Sequence, residues 1–267
     1  MIVTIFQADA FADTLFKGNP AAICLLPHWI PDSILQKIAA ENNLSETAFL
    51  VKEGELWHLR WFTPVTEVEL CGHATLASAH ILFHHLHHPG TEITFSTLSG
   101  ILKAAKKEDK IELDFPADHP VPVTLPEGLS EALGARPAHC LKGISDYMLV
   151  YEKEEDVASL QPDFEALKKT DARGIIVTAP GREYDFVSRF FGPQVGINED
   201  PVTGSAHTLL APYWAERIGK KILTARQVST RGGTLLCTLE GNRVHIAGKV
   251  VTYMEGKIYL PDIKTNH

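Results

Sequence analysis

The chain has 267 residues, 45% hydrophobic and 22% charged, with a formal net charge of −8. That length predicts two domains or one large barrel, and the balance excludes a disordered chain, a collagen-like fibre and a coiled coil. With no basic stretch to offset the acidic bulk, neither a nucleic-acid nor a membrane-surface partner is expected, although a local site can still take a small anion.

In chain order, Met1–Phe6 lacks the positive start and long apolar core of a signal peptide and reads as a first strand. No apolar run approaches the ~20 residues of a membrane span, so the expected location is the cytoplasm. Pro31-Asp32-Ser33 opens an amphipathic helix with Ile34, Leu35, Ile38 and Ala39 inward. A β-like run comes next, Leu44-Ser-Glu-Thr-Ala-Phe-Leu-Val51, and Glu46 stands at its edge. Residues 57–63 alternate as a strand does. From about Ala74 a helix apolar nearly all round should be buried. It ends in a run of histidines: His80, His84, His85, His87 and His88. His80 and His84 have the spacing of a metal pair, but no nearby acid or cysteine completes a site, and the run is read as a helix end.

Between Phe115 and Pro126 the chain becomes proline-rich, which suits a crossing between domains better than a sheet interior. The second half of the chain repeats the first. Arg60-Trp-Phe-Thr-Pro64 resembles Arg189-Phe-Phe-Gly-Pro193, and Glu67–Ala74 lines up with Glu199–Ala206. Gly100-Ile-Leu then matches Gly233-Thr-Leu, and Asp109-Lys-Ile matches Asn242-Arg-Val. Ordered matches at a nearly constant offset indicate an internal duplication. The expected fold is therefore α+β, with two pseudo-symmetric domains, each of mixed strands wrapped around a central hydrophobic helix. The expected boundaries are 1–117 for the first half, which a C-terminal strand at about 252–267 could join, and 118–251 for the second. The second helix, from about Ala206, should be kinked at Pro212, and Val250–Leu260 reads as a hairpin turning at Glu255-Gly256.

Each half leads a strand through a loop to a glycine, Gly72 or Gly204, and then into a helix. Free N–H groups at such helix starts bind anions. In a duplicated protein two such ends facing across a cleft would hold a carboxylate or offset charge on an enolate-like carbon. Either glycine alone is more simply a tight turn; the symmetric pair, flanked by His73 and Ser205, favours function. Cys71 at a helix start could be a lowered-pKa base, but the duplicated position is Thr203, which cannot be the matching acid of a two-base racemase. Glu46, judged on its pattern, is an ordinary glutamate at a strand start, although desolvation there could raise its pKa toward that of a general base. Asp200 before Pro201 is by itself a turn residue. The cysteines at 24, 71, 140 and 237 have neither disulfide nor zinc spacing, and no nucleotide or catalytic-metal motif appears.

Five ordered motifs carry a resemblance over nearly the whole chain. They are Asp9-Ala-Phe11 with Phe16-Lys-Gly-Asn-Pro-Ala21, Leu44-Ser-Glu-Thr-Ala-Phe49, Leu70-Cys-Gly-His-Ala-Thr75, Glu199-Asp-Pro-Val-Thr-Gly-Ser-Ala206 and Gln227-Val-Ser-Thr-Arg-Gly-Gly233. Together they resemble the phenazine-biosynthesis isomerase (PhzF) family, whose fold is similar to diaminopimelate epimerase and proline racemase. The resemblance implies an isomerase without cofactor or metal, moving a proton between carbons of a small carboxylate substrate. It implies Glu46 as general acid/base, with Gly72 and His73 contacting substrate from the first half and Asp200, Gly204 and Ser205 from the second. It also implies a homodimer. Two other readings stay open: a racemase or epimerase dependent on Cys71, and a binding module without catalysis.

Overall fold

A computed structural model describes residues 1–261. The chain divides into two compact units, one formed by Met1–Leu113 and the segment from Gly248 onward, the other by Asp114–Ala247.

The first unit begins with β1 (Ile2–Ala10) and β2 (Asn19–Leu26), an antiparallel pair. Its connection needs Gly18, which has φ +66°; a Cβ there would stand 2.1 Å from the Ala10 carbonyl oxygen. After α1 (Asp32–Asn42), β3 (Glu46–Glu53) lies parallel to β2. Strands β4 (Leu56–Phe62) and β5 (Glu67–Val68) come after it. Next are α2 (Gly72–His84), β6 (Glu92–Thr97), β7 (Gly100–Lys107) and β8 (Lys110–Pro116). β2 and β3 are buried on both faces, which explains their continuous apolar runs. On one face Ala22, Cys24, Phe49 and Val51 pack with Leu35, Ile38 and Ala39 of α1. Ile23, Ala48 and Leu50 alternate to the other face, where α2 lies against β1, β2 and β3. Every residue of α2 from His73 to Ala79 is buried, as its all-round apolarity predicts.

The second unit opens with β9 (Val121–Pro122), α3 (Leu129–Leu133), β10 (His139–Lys142) and β11 (Asp146–Val150). It continues through α4 (Glu154–Ala158), α5 (Phe164–Leu167), β12 (Gly174–Pro180), β13 (Phe186–Gly192) and β14 (Ile197–Asp200). Then come α6 (Gly204–Ile218), β15 (Ile222–Gln227), β16 (Gly233–Glu240) and β17 (Arg243–Gly248). Its pairing order repeats that of the first unit. β11 runs parallel to β12 and β13 parallel to β15, as β2 does to β3 and β4 to β6. Where the first unit has α1, the second has α3, α4 and α5, which bury Leu133, Val157 and Leu167 against Val177 and Phe191. Pro212 lies inside α6 and cannot bond the Thr208 carbonyl; the Asp118 backbone N–H donates to that oxygen instead, at 3.0 Å.

The chain then returns to the first unit as β18 (Val250–Tyr259), a single strand and not the expected hairpin. It pairs antiparallel with β1 from Tyr259 opposite Ile2 to Val250 opposite Ala10. Gly256 lies opposite Ile5 in this ladder, and a Cβ there would touch the Ile5 side chain at 3.6 Å. Pairing with β1 along its whole length holds Glu255-Gly256 extended. Of the expected closing segment 252–267, residues 262–267 lie outside the described residues. No helix among the described residues is long and apolar enough to cross a membrane.

Candidate active site

In the first unit Glu46, Cys71 and His73 come together. Helix α1 stops at Asn43, whose left-handed φ of 49° reverses the chain and starts β3 at once with Glu46. Because Glu46, Ala48 and Leu50 alternate to one face, the carboxylate points to the side on which α2 packs. The loop after β4 delivers the start of α2 there. It is braced by Arg60, which grips Glu67 through two parallel hydrogen bonds of 2.6 and 2.7 Å. Cys71 is the N-cap in extended conformation and makes no side-chain capping bond, so the first N–H groups of α2 have no such acceptor.

All three side chains are buried, Glu46 at 9% and His73 at 6% exposure. The Cys71 Sγ lies 3.5 Å from His73 Nδ1, and the Glu46 Oε2 lies 3.3 Å from His73 Nε2. Burial pushes the His73 pKa down to about 3, so the imidazole is neutral near pH 7. The three offer donor atoms within 4.8 Å of one another, as a metal site requires. The thiol lies beside one ring nitrogen and the carboxylate beside the other.

In the second unit Asp200, Thr203, Gly204 and Ser205 surround the start of α6. Thr203 is again the N-cap, and its hydroxyl is turned to donate to Asp200 Oδ2. Gln227 ties this turn together: its Oε1 accepts from the Thr203 N–H at 2.9 Å, and its Nε2 donates to the Asp200 carbonyl at 2.7 Å. Arg173 donates to Ser205 Oγ at 3.1 Å while its other nitrogens hold the buried carboxylate of Asp146. Burial opposes the Arg173 charge, but the bonds and charge of Asp146, with Asp200 and Asp118 nearby, hold its pKa above the ordinary value. His207 Nδ1 donates to the Thr203 carbonyl at 2.8 Å, the role of the Thr75 hydroxyl on the Cys71 carbonyl in the first unit.

Sequence reasoning missed Arg173, Asp146 and the tie made by Gln227. Gln227 sits in a quoted motif; Arg173 and Asp146 carry no local pattern, since their meeting depends on β11 pairing with β12. The histidine run forms a polar corner of the first unit, with His80 Nε2 and His85 Nε2 each 2.9 Å from the Thr252 hydroxyl. None of the four cysteines is in a disulfide.

Residues 8–256 match the family described as PhzC-PhzF, phenazine biosynthesis-like protein. An uncharacterised isomerase of Pseudomonas aeruginosa is 54% identical, over 97% of this chain and 100% of its own length. A PhzF-family phenazine biosynthesis protein from Enterococcus faecalis has a similar structure, with a TM-score of 0.95 and 48% identity over 97% of this chain and 100% of that one. A hydroxyproline epimerase from Agrobacterium vitis, 10% identical, shares the fold, with a TM-score of 0.62 over 98% of this chain and 93% of that one. The fold is thus the α+β architecture common to PhzF proteins and to racemases and epimerases of the proline type. The chain belongs to the phenazine biosynthesis-like (PhzF) family, and it is an isomerase.

Proposed function

We propose that the enzyme moves a proton between carbons of a small carboxylate-bearing substrate, with Glu46 as the general acid/base. The observation that carries this reading is the buried Glu46 carboxylate held 3.3 Å from His73 Nε2 at the start of α2. A carboxylate shielded from water and fixed beside a neutral imidazole suits the removal and return of a carbon-bound proton. Gly72 and His73 contact the substrate from the first unit, and Asp200, Gly204 and Ser205 from the second. Backbone N–H groups at the start of α2 offset charge developing during proton removal. This chemistry needs only groups the chain itself supplies. A homodimer is part of the same reading, and light scattering in solution tests it.

Solvent-deuterium incorporation followed by NMR tests the reaction, using dihydro-hydroxyanthranilate and a panel of amino and cyclic carboxylic acids. Glu46→Gln should fold normally and lose about 10²–10⁴-fold in exchange rate. Retention of exchange in Glu46→Gln with its loss in Cys71→Ala would transfer the protein to the cysteine-dependent racemases. Against that second reading stands the hydroxyl at Thr203, the position equivalent to Cys71, which is engaged with Asp200. Binding without exchange across the panel would support a module that only binds.

A further inference from the structure

The start of α6 contains a chain of hydrogen bonds whose direction is fixed at every step. Gln227, at the end of β15, has no exposed surface, and Thr203 and Asp200 are buried beside it. A backbone N–H only donates and a carbonyl only accepts. The Gln227 amide therefore has one orientation, with Oε1 toward the Thr203 N–H at 2.9 Å and Nε2 toward the Asp200 carbonyl at 2.7 Å. The same Nε2 lies 3.2 Å from the Thr203 hydroxyl oxygen, and because an amide nitrogen only donates, that oxygen accepts. The single proton of the hydroxyl is then directed at Asp200 Oδ2. A threonine at a helix N-cap ordinarily accepts from an N–H of the first turn. Thr203 makes no such bond: its oxygen serves Gln227 and its proton serves Asp200.

Resting on the reading of Asp200 as a substrate contact, we propose that Gln227 and Thr203 are positioning residues. The amide of Gln227 sets the direction of the Thr203 hydroxyl, and the hydroxyl holds the Asp200 carboxylate in one orientation, as an acceptor for an N–H or O–H of the substrate. Gln227 grips the same residue a second time through its backbone carbonyl, so one buried amide fixes both the main chain and, through Thr203, the side chain of Asp200. An acceptor fixed in advance gives up little orientational freedom when the substrate arrives. Neither supporting residue is itself the contact: Gln227 is shut away from solvent, and the Thr203 proton is spent on Asp200. Their effect on the reaction therefore passes through Asp200.

The test uses the full-length enzyme and two readouts. Proton NMR of the enzyme alone should show a slowly exchanging hydroxyl proton, assigned to Thr203 by its loss in Thr203→Val. Valine suits the extended backbone there (φ −109°, ψ 98°) and cannot donate. With dihydro-hydroxyanthranilate as the probe, Thr203→Val should lower kcat/KM about tenfold, and Thr203→Ser should restore both the protected proton and most of the rate. Thr203→Val combined with Asp200→Asn should be no slower than Asp200→Asn alone, because the two act through one carboxylate. A merely structural role for Thr203 predicts instead that the two losses multiply. Gln227→Leu should lose the protection of the hydroxyl proton and show a similar fall in kcat/KM; should it fail to fold, the Thr203 variants carry the test. The proposal is overturned by a rapidly exchanging Thr203 hydroxyl in the wild type, by an unchanged rate in Thr203→Val, or by multiplying losses in the double variant. Asp200→Asn alone keeps the two ideas apart. A wild-type rate in Asp200→Asn would refute the substrate contact itself, whereas a loss in Asp200→Asn with none in Thr203→Val would refute only the positioning.

Discussion

At the residue scale, burial governs the histidines. His73 is pushed down to about 3, and His80 and His207 to about 4, by desolvation, with the charges of His84 and His85 adding to the effect at His80. In the unfolded chain each titrates near ~6.5. Between that pH and about 4 the unfolded state therefore binds more protons than the folded one, and stability falls as the pH is lowered through this window. Urea unfolding at pH 7 and pH 5 should show the loss directly. His207→Phe keeps a ring beside Phe186 without a titrating nitrogen and should flatten the dependence. Gly18→Ala is a conformational counterpart: with φ +66° and only 2.1 Å to the Ala10 oxygen, it should cost more than about 2 kcal/mol in the same assay. Glu46 itself was visible in the sequence only through its motif. Its neighbours at 44–51 describe a strand edge, and the partner that distinguishes it, His73, arrives through packing.

At the element scale, the same device braces the same connection in both units. Arg60 grips Glu67 between β4 and β5, and Arg189 grips Glu199 between β13 and β14, each through two parallel bonds. The two differ in setting. Arg189 is 9% exposed and also donates to the carbonyls of Val157 and Leu160. Arg60 is more accessible, and its additional partner, Asp32, is exposed. Arg189→Ala leaves a partly buried carboxylate and two buried carbonyls without their donor and should cost about 2–4 kcal/mol. Arg60→Ala should cost about 1 kcal/mol. Chemical denaturation of both variants reads the contrast. The repeated Arg and Glu were legible as a motif, as were helices α1, α2 and α6. Helices α3, α4 and α5 were not: each is five residues or fewer, too short for a helical period to show.

At the scale of the whole molecule, the first unit is closed by the end of the chain. β18 covers the edge of β1 from Ile2 to Ala10, and the Leu260 N–H donates to the Met1 carbonyl. Truncation after Lys249 should expose that edge and remove most of the soluble protein, measured as soluble yield and far-UV circular dichroism. The second unit's strands pair without β18, so this variant separates closure of the first unit from folding of the second. The duplication, the two buried helices with glycines at their starts and the motifs around Glu46, His73, Asp200 and Ser205 were all legible in the chain, because periodicity and repeats are properties of neighbours along it. Packing was needed to establish that Val250–Tyr259 is one strand, that Arg173 reaches Ser205, and that Cys71 and Glu46 meet opposite nitrogens of His73. Each depends on which strand lies beside which and on the face to which a side chain alternates, and such pairings join residues that no local pattern connects.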